Sequence, residues 1–201
     1  MTGNWEIKVV KDGMPQKVAT AFAKLAETML GAEYEPIAYL GSQLVNGTNH
    51  AVLAEQIITT GRDTKNIVLM IFNEKPNDME ATLVSIDRIV EGGMPLGGIQ
   101  IDVTDNIPVD VADALGKLVG SKIEPIAMLG KQVVNGVNYI LAATVTPVVP
   151  DAQTKAVVLT VNPEIGSLSA ADIMTTRQEA SLGYAFTWLK NGLGKPLGEW
   201  P

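Results

Sequence analysis

Few side chains in this sequence could carry chemistry. It contains no cysteine and a single histidine, His50. These counts exclude disulfides, thiolate catalysis and metal sites rich in cysteine or histidine. Asp102, Asp105 and Asp110 are close in sequence, but their spacing matches no calcium-binding loop. Because no nucleophile–base pair, phosphate loop or metal cluster can be assembled from these residues, we predict a protein that is not an enzyme and has no cofactor or metal.

The strongest remaining signal is a short pattern that occurs twice. Residues 131–139 are Lys-Gln-Val-Val-Asn-Gly-Val-Asn-Tyr, and residues 42–50 are Ser-Gln-Leu-Val-Asn-Gly-Thr-Asn-His. Each copy places Asn-Gly between apolar runs, which indicates a tight β-hairpin turn because both residues tolerate positive φ. The predicted hairpin ends comprise Gln43, Leu44, Val45, Asn46 and Gly47 in the first copy, and Gln132, Val133, Val134, Asn135 and Gly136 in the second.

The sequence around this pattern is duplicated as well. Residues 35–41, Glu-Pro-Ile-Ala-Tyr-Leu-Gly, correspond to residues 124–130, and the two copies stay 89 positions apart (residues 43 and 132) without a gap. An internal duplication is considered before any other feature because it sets the number of domains, which here is two. The Gly- and Pro-rich segment 91–98 marks a boundary. We therefore predict one domain over residues 1–93 and a second over residues 94–201.

Each half contains elements that could hold such a hairpin. An alternating strand comes first, a helix follows from Pro15 or Pro108, and further strands complete the half. The hairpin arms are predicted over residues 34–40 and 51–60, and over residues 123–129 and 139–148; a long loop is predicted over residues 163–179. A helix and a sheet that each offer one apolar face pack on each other. The predicted fold class is therefore α+β, with two tandem domains, each one α-helix packed on a curved four- to five-stranded antiparallel sheet.

The repeated loop resembles the first binding loop of the cystatin superfamily, most of all the disulfide-free stefin type. The likeness is carried by Gln-x-Val-x-Gly followed by x-Asn-Tyr in residues 132–139, and by the same pattern ending in His50 in the first copy. The order of elements, one helix before the hairpin and two strands after it, is similar too. The resemblance implies tandem cystatin-like domains that reversibly inhibit papain-like cysteine proteases.

In that family three elements form a wedge that enters the protease cleft. They are an N-terminal segment with glycine, the Gln-x-Val-x-Gly tip, and a second loop with Pro-Trp. By position, Gly3 is the N-terminal glycine of the first half, and Gly97 or Gly98 is that of the second. These glycines and the two tips are the protease-binding residues that the resemblance implies.

The third element of the wedge departs from the family pattern. Neither residues 73–78 nor the loop after Pro163 contains Pro-Trp. The alternative function is therefore a cystatin-fold scaffold or binding module without cysteine-protease inhibition. A relative with two cystatin-like domains inhibits metallocarboxypeptidases, so another protease class also stays open.

Composition limits the partners. The formal net charge of −7 and the absence of a Lys/Arg cluster argue against nucleic acid or an anionic membrane. No apolar run reaches the roughly twenty residues that span a bilayer, and the N-terminus shows no signal peptide. We expect a soluble, cytoplasmic protein, or a secreted one if a signal has been removed. Cystatin-type hairpins can also open at the binding loop and exchange strands between molecules, so the resemblance also implies a route to domain-swapped dimers.

Overall fold

The computed structural model describes residues 4–11, 13–60, 64–75, 81–93, 97–174 and, for the backbone, 184–187. The chain divides into two compact units, Met1–Gly93 (unit 1) and Met94–Pro201 (unit 2). The elements of unit 1 are β1 Trp5–Val10, α1 Gln16–Thr28, β2 Ala32–Val45, β3 Gly47–Ile58, β4 Thr64–Glu74 and β5 Thr82–Glu91. Those of unit 2 are β6 Gln100–Thr104, α2 Val109–Gly116, β7 Ser121–Val134, β8 Gly136–Pro147, β9 Lys155–Asn162, β10 Ser167–Asp172 and β11 Tyr184–Thr187.

Each unit contains one antiparallel sheet in which spatial order follows chain order. Unit 1 has the order β1-β2-β3-β4-β5, and unit 2 has the order β6-β7-β8-β9-β10-β11. Every pair is antiparallel and joins strands that are consecutive in sequence. The β2–β3 and β7–β8 hairpins, which carry the repeated pattern, therefore lie inside their sheets rather than at an edge.

The helices start where the prolines predict and bury a narrow stripe. Pro15 and Pro108 are the N-cap residues of α1 and α2. Val18 and Phe22, four residues apart on one side of α1, pack into a cluster with strand residues such as Tyr39. In unit 2, Val111 and Leu115 of α2 pack in the same way. The described cluster around them includes the strand residues Leu141, Val157 and Leu159.

The predicted α+β fold class is wrong, because strands dominate both units. The helices are 13 and 8 residues long, and each has two buried residues. In contrast, consecutive residues 51–54 of β3 and 67–70 of β4 are all buried. Since neighbouring side chains on a strand point to opposite faces, both faces of these central strands are buried, and a single helix covers only one. The chain is mostly β, not a pair of helix-on-sheet domains.

The fold class was mispredicted because the hairpin arms are longer than the sequence pattern indicates. β2 has 14 residues and passes through Pro36 and Gly41, with a shift in strand register beside each, as at a β-bulge. A Cβ on Gly41 would lie 2.1 Å from the main-chain O of Glu6 in β1. Gly130 in β7 meets β6 in the same way, at 2.3 Å. These glycines allow a neighbouring strand to approach closely. The sequence pattern instead predicts that the hairpin arms end just before them, at residues 40 and 129.

The long loop predicted after Pro163 is also wrong in its first part. Residues 163–166 form a tight turn, and residues 167–172 form β10, which pairs with β9. Residues 175–179 of the predicted loop lie outside the described residues. The β9–β10 turn is therefore short, and it lies at the same end of the sheet as the β7–β8 turn.

Candidate functional site: two hairpin tips

The repeated pattern forms the end of a hairpin in both units. We call residues 43–47 tip 1 and residues 132–136 tip 2. In tip 1, Val45 pairs with Gly47 and only Asn46 lies between the strands; residues 134–136 repeat this arrangement in tip 2. The two tip glycines have φ of 100° and 81°, a region that glycine enters without steric cost. The Asn-Gly sequence thus produces a turn with a single residue at its apex.

Both tips present apolar side chains to solvent. Leu44 is 71% exposed in tip 1, and Val133 and Val134 are 68% and 48% exposed in tip 2. Val45, which corresponds in sequence to Val134, is half-buried. Large apolar groups that lie together at the end of a paired hairpin are typical of a surface that another molecule covers. Tip 2 offers two such groups and tip 1 offers one.

A row of side-chain amides crosses three strands behind tip 1. Asn73 Nδ2 in β4 donates to Asn49 Oδ1 in β3 at 2.8 Å. Asn49 Nδ2 in turn donates to Gln43 Oε1 in β2 at 3.1 Å. We call this arrangement an amide ladder. It fixes the Gln43 side chain, which the sequence pattern singles out, against the neighbouring strands.

Unit 2 contains the same amide ladder. Asn162 Nδ2 in β9 donates to Asn138 Oδ1 at 3.0 Å, and Asn138 Nδ2 donates to Gln132 Oε1 at 3.2 Å. The outer asparagines, Asn73 and Asn162, were missed in the sequence analysis. They are separated by the same 89 positions as the tips (residues 43 and 132). Extending the duplication offset past the loop was the signal that could have found them.

The structure brings one predicted N-terminal glycine to its tip. Gln132 Nε2 donates to the main-chain O of Gly97 at 2.6 Å, so the segment before β6 is joined to tip 2. Gly98 follows it, before β6 begins. In unit 1, Trp5 of β1 pairs with Gln43, so the start of β1 lies beside tip 1. The predicted N-terminal glycine of this unit, Gly3, lies outside the described residues.

The surroundings of the two tip glycines differ. A Cβ on Gly47 would lie 2.6 Å from the main-chain O of Glu74 and 2.8 Å from Asn73 Oδ1. A Cβ on Gly136 would lie 2.8 Å from the Glu164 carboxylate, which belongs to an exposed side chain of the β9–β10 turn. Asn162 Oδ1 lies 3.2 Å from the same Cβ position. The nearest atom behind tip 1 is thus main chain, whereas the nearest atom behind tip 2 belongs to a side chain that can rotate.

His50 lies in a polar cluster beside tip 1. Its Nδ1 is 3.2 Å from Tyr39 Oη, its Nε2 is 3.5 Å from the Glu74 carboxylate, and Glu74 also pairs with Lys17. Burial, and secondarily the charge of Lys17, lower the pKa of His50. Glu74 alone would favour the imidazolium, but Lys17 shares its charge and the desolvation of the ring dominates. The centre of the His50 ring lies 6.0 Å from that of Tyr39 and 5.6 Å from that of Phe72.

No protein-family model, curated protein or solved structure matches this chain. Within the described ranges, no group of three or more His, Cys, Asp or Glu residues is placed to hold a metal ion. In the same part of the chain, no helix is both long and apolar enough to cross a membrane. The features that indicate a function are therefore the exposed apolar residues of the two tips and the amide ladders behind them.

Proposed function

We propose that this protein is a reversible inhibitor of papain-like cysteine proteases, and that tips 1 and 2 enter the protease cleft. The observation that carries the proposal is the exposure of Leu44, Val133 and Val134 at hairpin ends whose backbone is already folded. Removing apolar surface from water is favourable by about 25 cal/mol per Å². A preformed loop also gives up little conformational entropy on binding. The likeness of both tips to the Gln-x-Val-x-Gly loop of cystatins supplies the class of target.

The hairpin geometry favours binding without cleavage. Main-chain pairing continues to Val45 and Gly47 in tip 1 and is repeated in tip 2. For a tip to lie extended along a catalytic cleft, these strand pairs and the amide ladder would have to open. Unmade hydrogen bonds of partly buried groups are costly, so the tip is expected to remain folded in the complex and to be released intact.

Titration of papain with the full chain tests the proposal. We expect residual activity to fall as the chain is added in the micromolar range or below. Val134→Asp should remove binding by tip 2, because a carboxylate would have to be desolvated in an apolar cleft. At a central contact this costs about 2 kcal/mol or more, or roughly 30-fold in affinity. Leu44→Asp is the corresponding change in tip 1.

Val148→Asp is the matched control. Val148 is 71% exposed and follows β8, so it lies at the other end of the hairpin that carries tip 2. Its replacement adds the same charge to the same unit and should leave inhibition unchanged. An unchanged affinity for papain in the Leu44→Asp, Val134→Asp double variant, or a wild-type chain without effect on papain at micromolar concentration, contradicts the proposal.

The second candidate function is a protein-binding module that does not inhibit cysteine proteases. The observation in its favour is the β9–β10 turn, Pro163 to Gly166, which lies next to tip 2 and contains no tryptophan. Tryptophan is among the residues that contribute most to protein interfaces. This candidate, which includes action on another protease class, is favoured if the chain leaves papain active.

A further inference from the structure

Asn162 occupies a buried position directly behind tip 2. It is the last residue of β9 and is 1% exposed. Its Nδ2 donates to Asn138 Oδ1 at 3.0 Å and to the main-chain O of Asn135, the apex residue, at 3.1 Å. Its Oδ1 accepts a hydrogen bond from the main-chain N of Ile165 at 3.3 Å. One side chain therefore contacts the apex of tip 2, the amide ladder and the β9–β10 turn.

The partners of Asn162 come from the parts of the surface that a ligand would meet. A buried amide needs hydrogen-bond partners, and an unpartnered one is unfavourable. If the apex moved away, Asn162 would lose the Asn135 carbonyl while staying buried. If the β9–β10 turn moved, it would lose the Ile165 N–H. Burial of Asn162 thus opposes movement of either segment.

We infer that Asn162 is the positioning residue of tip 2, holding the apex and the β9–β10 turn together as one rigid edge. On that edge Ile165 is 44% exposed, and it joins Val133 and Val134 as a third apolar group. The partner that such an edge fits is a protein groove with apolar walls. The inference concerns the free protein, and it rests on the proposed function only where binding is measured.

Unit 1 shows why the position matters. Asn73 bonds to Asn49 as Asn162 bonds to Asn138, and Asn162 also bonds to the apex carbonyl and to the N–H of Ile165. In unit 2, one side chain thus joins the ladder to the apex and to the β9–β10 turn. We expect loss of these bonds to loosen tip 2 and to speed its dissociation from a partner.

Backbone ¹⁵N relaxation of the full chain tests this inference without any partner. In the wild-type chain we expect order parameters of about 0.85 at Asn135 and Gly136, the value of rigid backbone. Asn162→Ala should lower them below about 0.6, the range of flexible segments. Asn138→Ala, at a less buried position of the same ladder, serves if Asn162→Ala fails to fold. Asn73→Ala is the matched control and should change tip 1 while leaving tip 2 unaltered.

Three results decide between explanations. Unchanged order parameters at tip 2 in a folded Asn162→Ala or Asn138→Ala chain overturn the inference. A loss of order spread evenly over the core amides of β7 and β9 also overturns it, because Asn162 would then be a general stabilising residue. Loss of order confined to residues 133–136 and 163–166 supports it, and it does so even when the wild-type chain leaves papain active.

Where papain does bind, the same variants extend the test. We expect Asn162→Ala to raise the dissociation rate by about tenfold with a smaller change in the association rate, because most differences between related complexes lie in dissociation. An unchanged dissociation rate from tip 2, measured in a chain that carries Leu44→Asp, contradicts the inference.

Discussion

Replacing the tip glycines by alanine should destabilise the two units unequally. Gly47 and Gly136 both have positive φ, and an alanine held there costs about 1–2 kcal/mol. The new methyl group on residue 47 would also meet the main-chain O of Glu74 at 2.6 Å. The methyl group on residue 136 would meet the carboxylate of Glu164 at 2.8 Å, which is the end of an exposed side chain.

These contacts set the expected magnitudes. The Glu164 carboxylate can rotate away, and Asn162 Oδ1, 3.2 Å from the new methyl group, has to give way by only a few tenths of an ångström. Gly136→Ala should therefore cost little more than the backbone term, about 1–2 kcal/mol. The Glu74 carbonyl cannot move without displacing the end of β4, and such overpacking adds about 1–3 kcal/mol. Gly47→Ala should therefore cost about 2–5 kcal/mol in total.

Native-state hydrogen exchange measures each unit separately within the full chain. The amides of Leu53 in unit 1 and Leu141 in unit 2 belong to residues that are 0% exposed, so their slowest exchange reports unfolding of their own unit. As a control, adding Glu164→Ala to Gly136→Ala should change the free energy of unfolding by less than about 0.5 kcal/mol. Equal losses for the two glycine variants, or a larger loss for Gly136→Ala, would refute the reasoning.

Two further predictions concern unit 1. The lowered pKa of His50 means that the unfolded chain binds a proton more readily, so the free energy of unfolding should decrease as the pH falls below about 6.5. An NMR titration of this single histidine shows whether its pKa is lowered in the folded chain, and a raised pKa contradicts the prediction. His50→Gln should remove the decrease in the free energy of unfolding that His50 causes below about pH 6.5. Phe22 is 3% exposed, so Phe22→Ala should lower the free energy of unfolding by about 3–5 kcal/mol in urea titrations. Lys24→Ala, on the exposed side of α1, should stay within about 0.5 kcal/mol, and a loss below about 1 kcal/mol for Phe22→Ala contradicts the packing of α1.

The turns of the molecule follow from short sequence signals. Asn46 and Asn135 lie at the hairpin ends where Asn-Gly predicts them, because the glycine that follows each accepts positive φ. Pro15 and Pro108 begin the helices for an equally local reason, since proline lacks the N–H that the first helical turn leaves unpaired. Local backbone chemistry is enough to find these points.

Strand length and fold class follow from contacts between distant residues, and local patterns missed them. Gly41 resembles a strand end, yet it is a bulge that accommodates the carbonyl of Glu6. The burial of both faces of β3 and β4 depends on what covers them, which alternation within one strand does not reveal. The α+β fold class was wrong for this reason, because the sequence pattern did not show how much of each unit is strand.

The amide ladder shows a third situation. Asn162 is the last residue of an apolar strand and Asn73 the last but one, and by propensity alone asparagine there indicates a turn. Their role appears only when the register sets them beside Asn49 and Asn138. Residues that bond to a hairpin tip from a neighbouring strand have no local signature, although a pattern that occurs twice offers a second place in which to look for them.

Pairing between successive strands also shapes how each unit can assemble. Apart from the β1–β2 and β6–β7 pairs, whose intervening segments include a helix, the strands described from β2 to β5 and from β7 to β10 are joined by short connections. Closing a short connection costs little chain entropy, and rich local pairing accelerates folding. Assembly can therefore begin at the two central hairpins and spread outward one strand at a time, with the tips among the earliest parts to acquire their native shape.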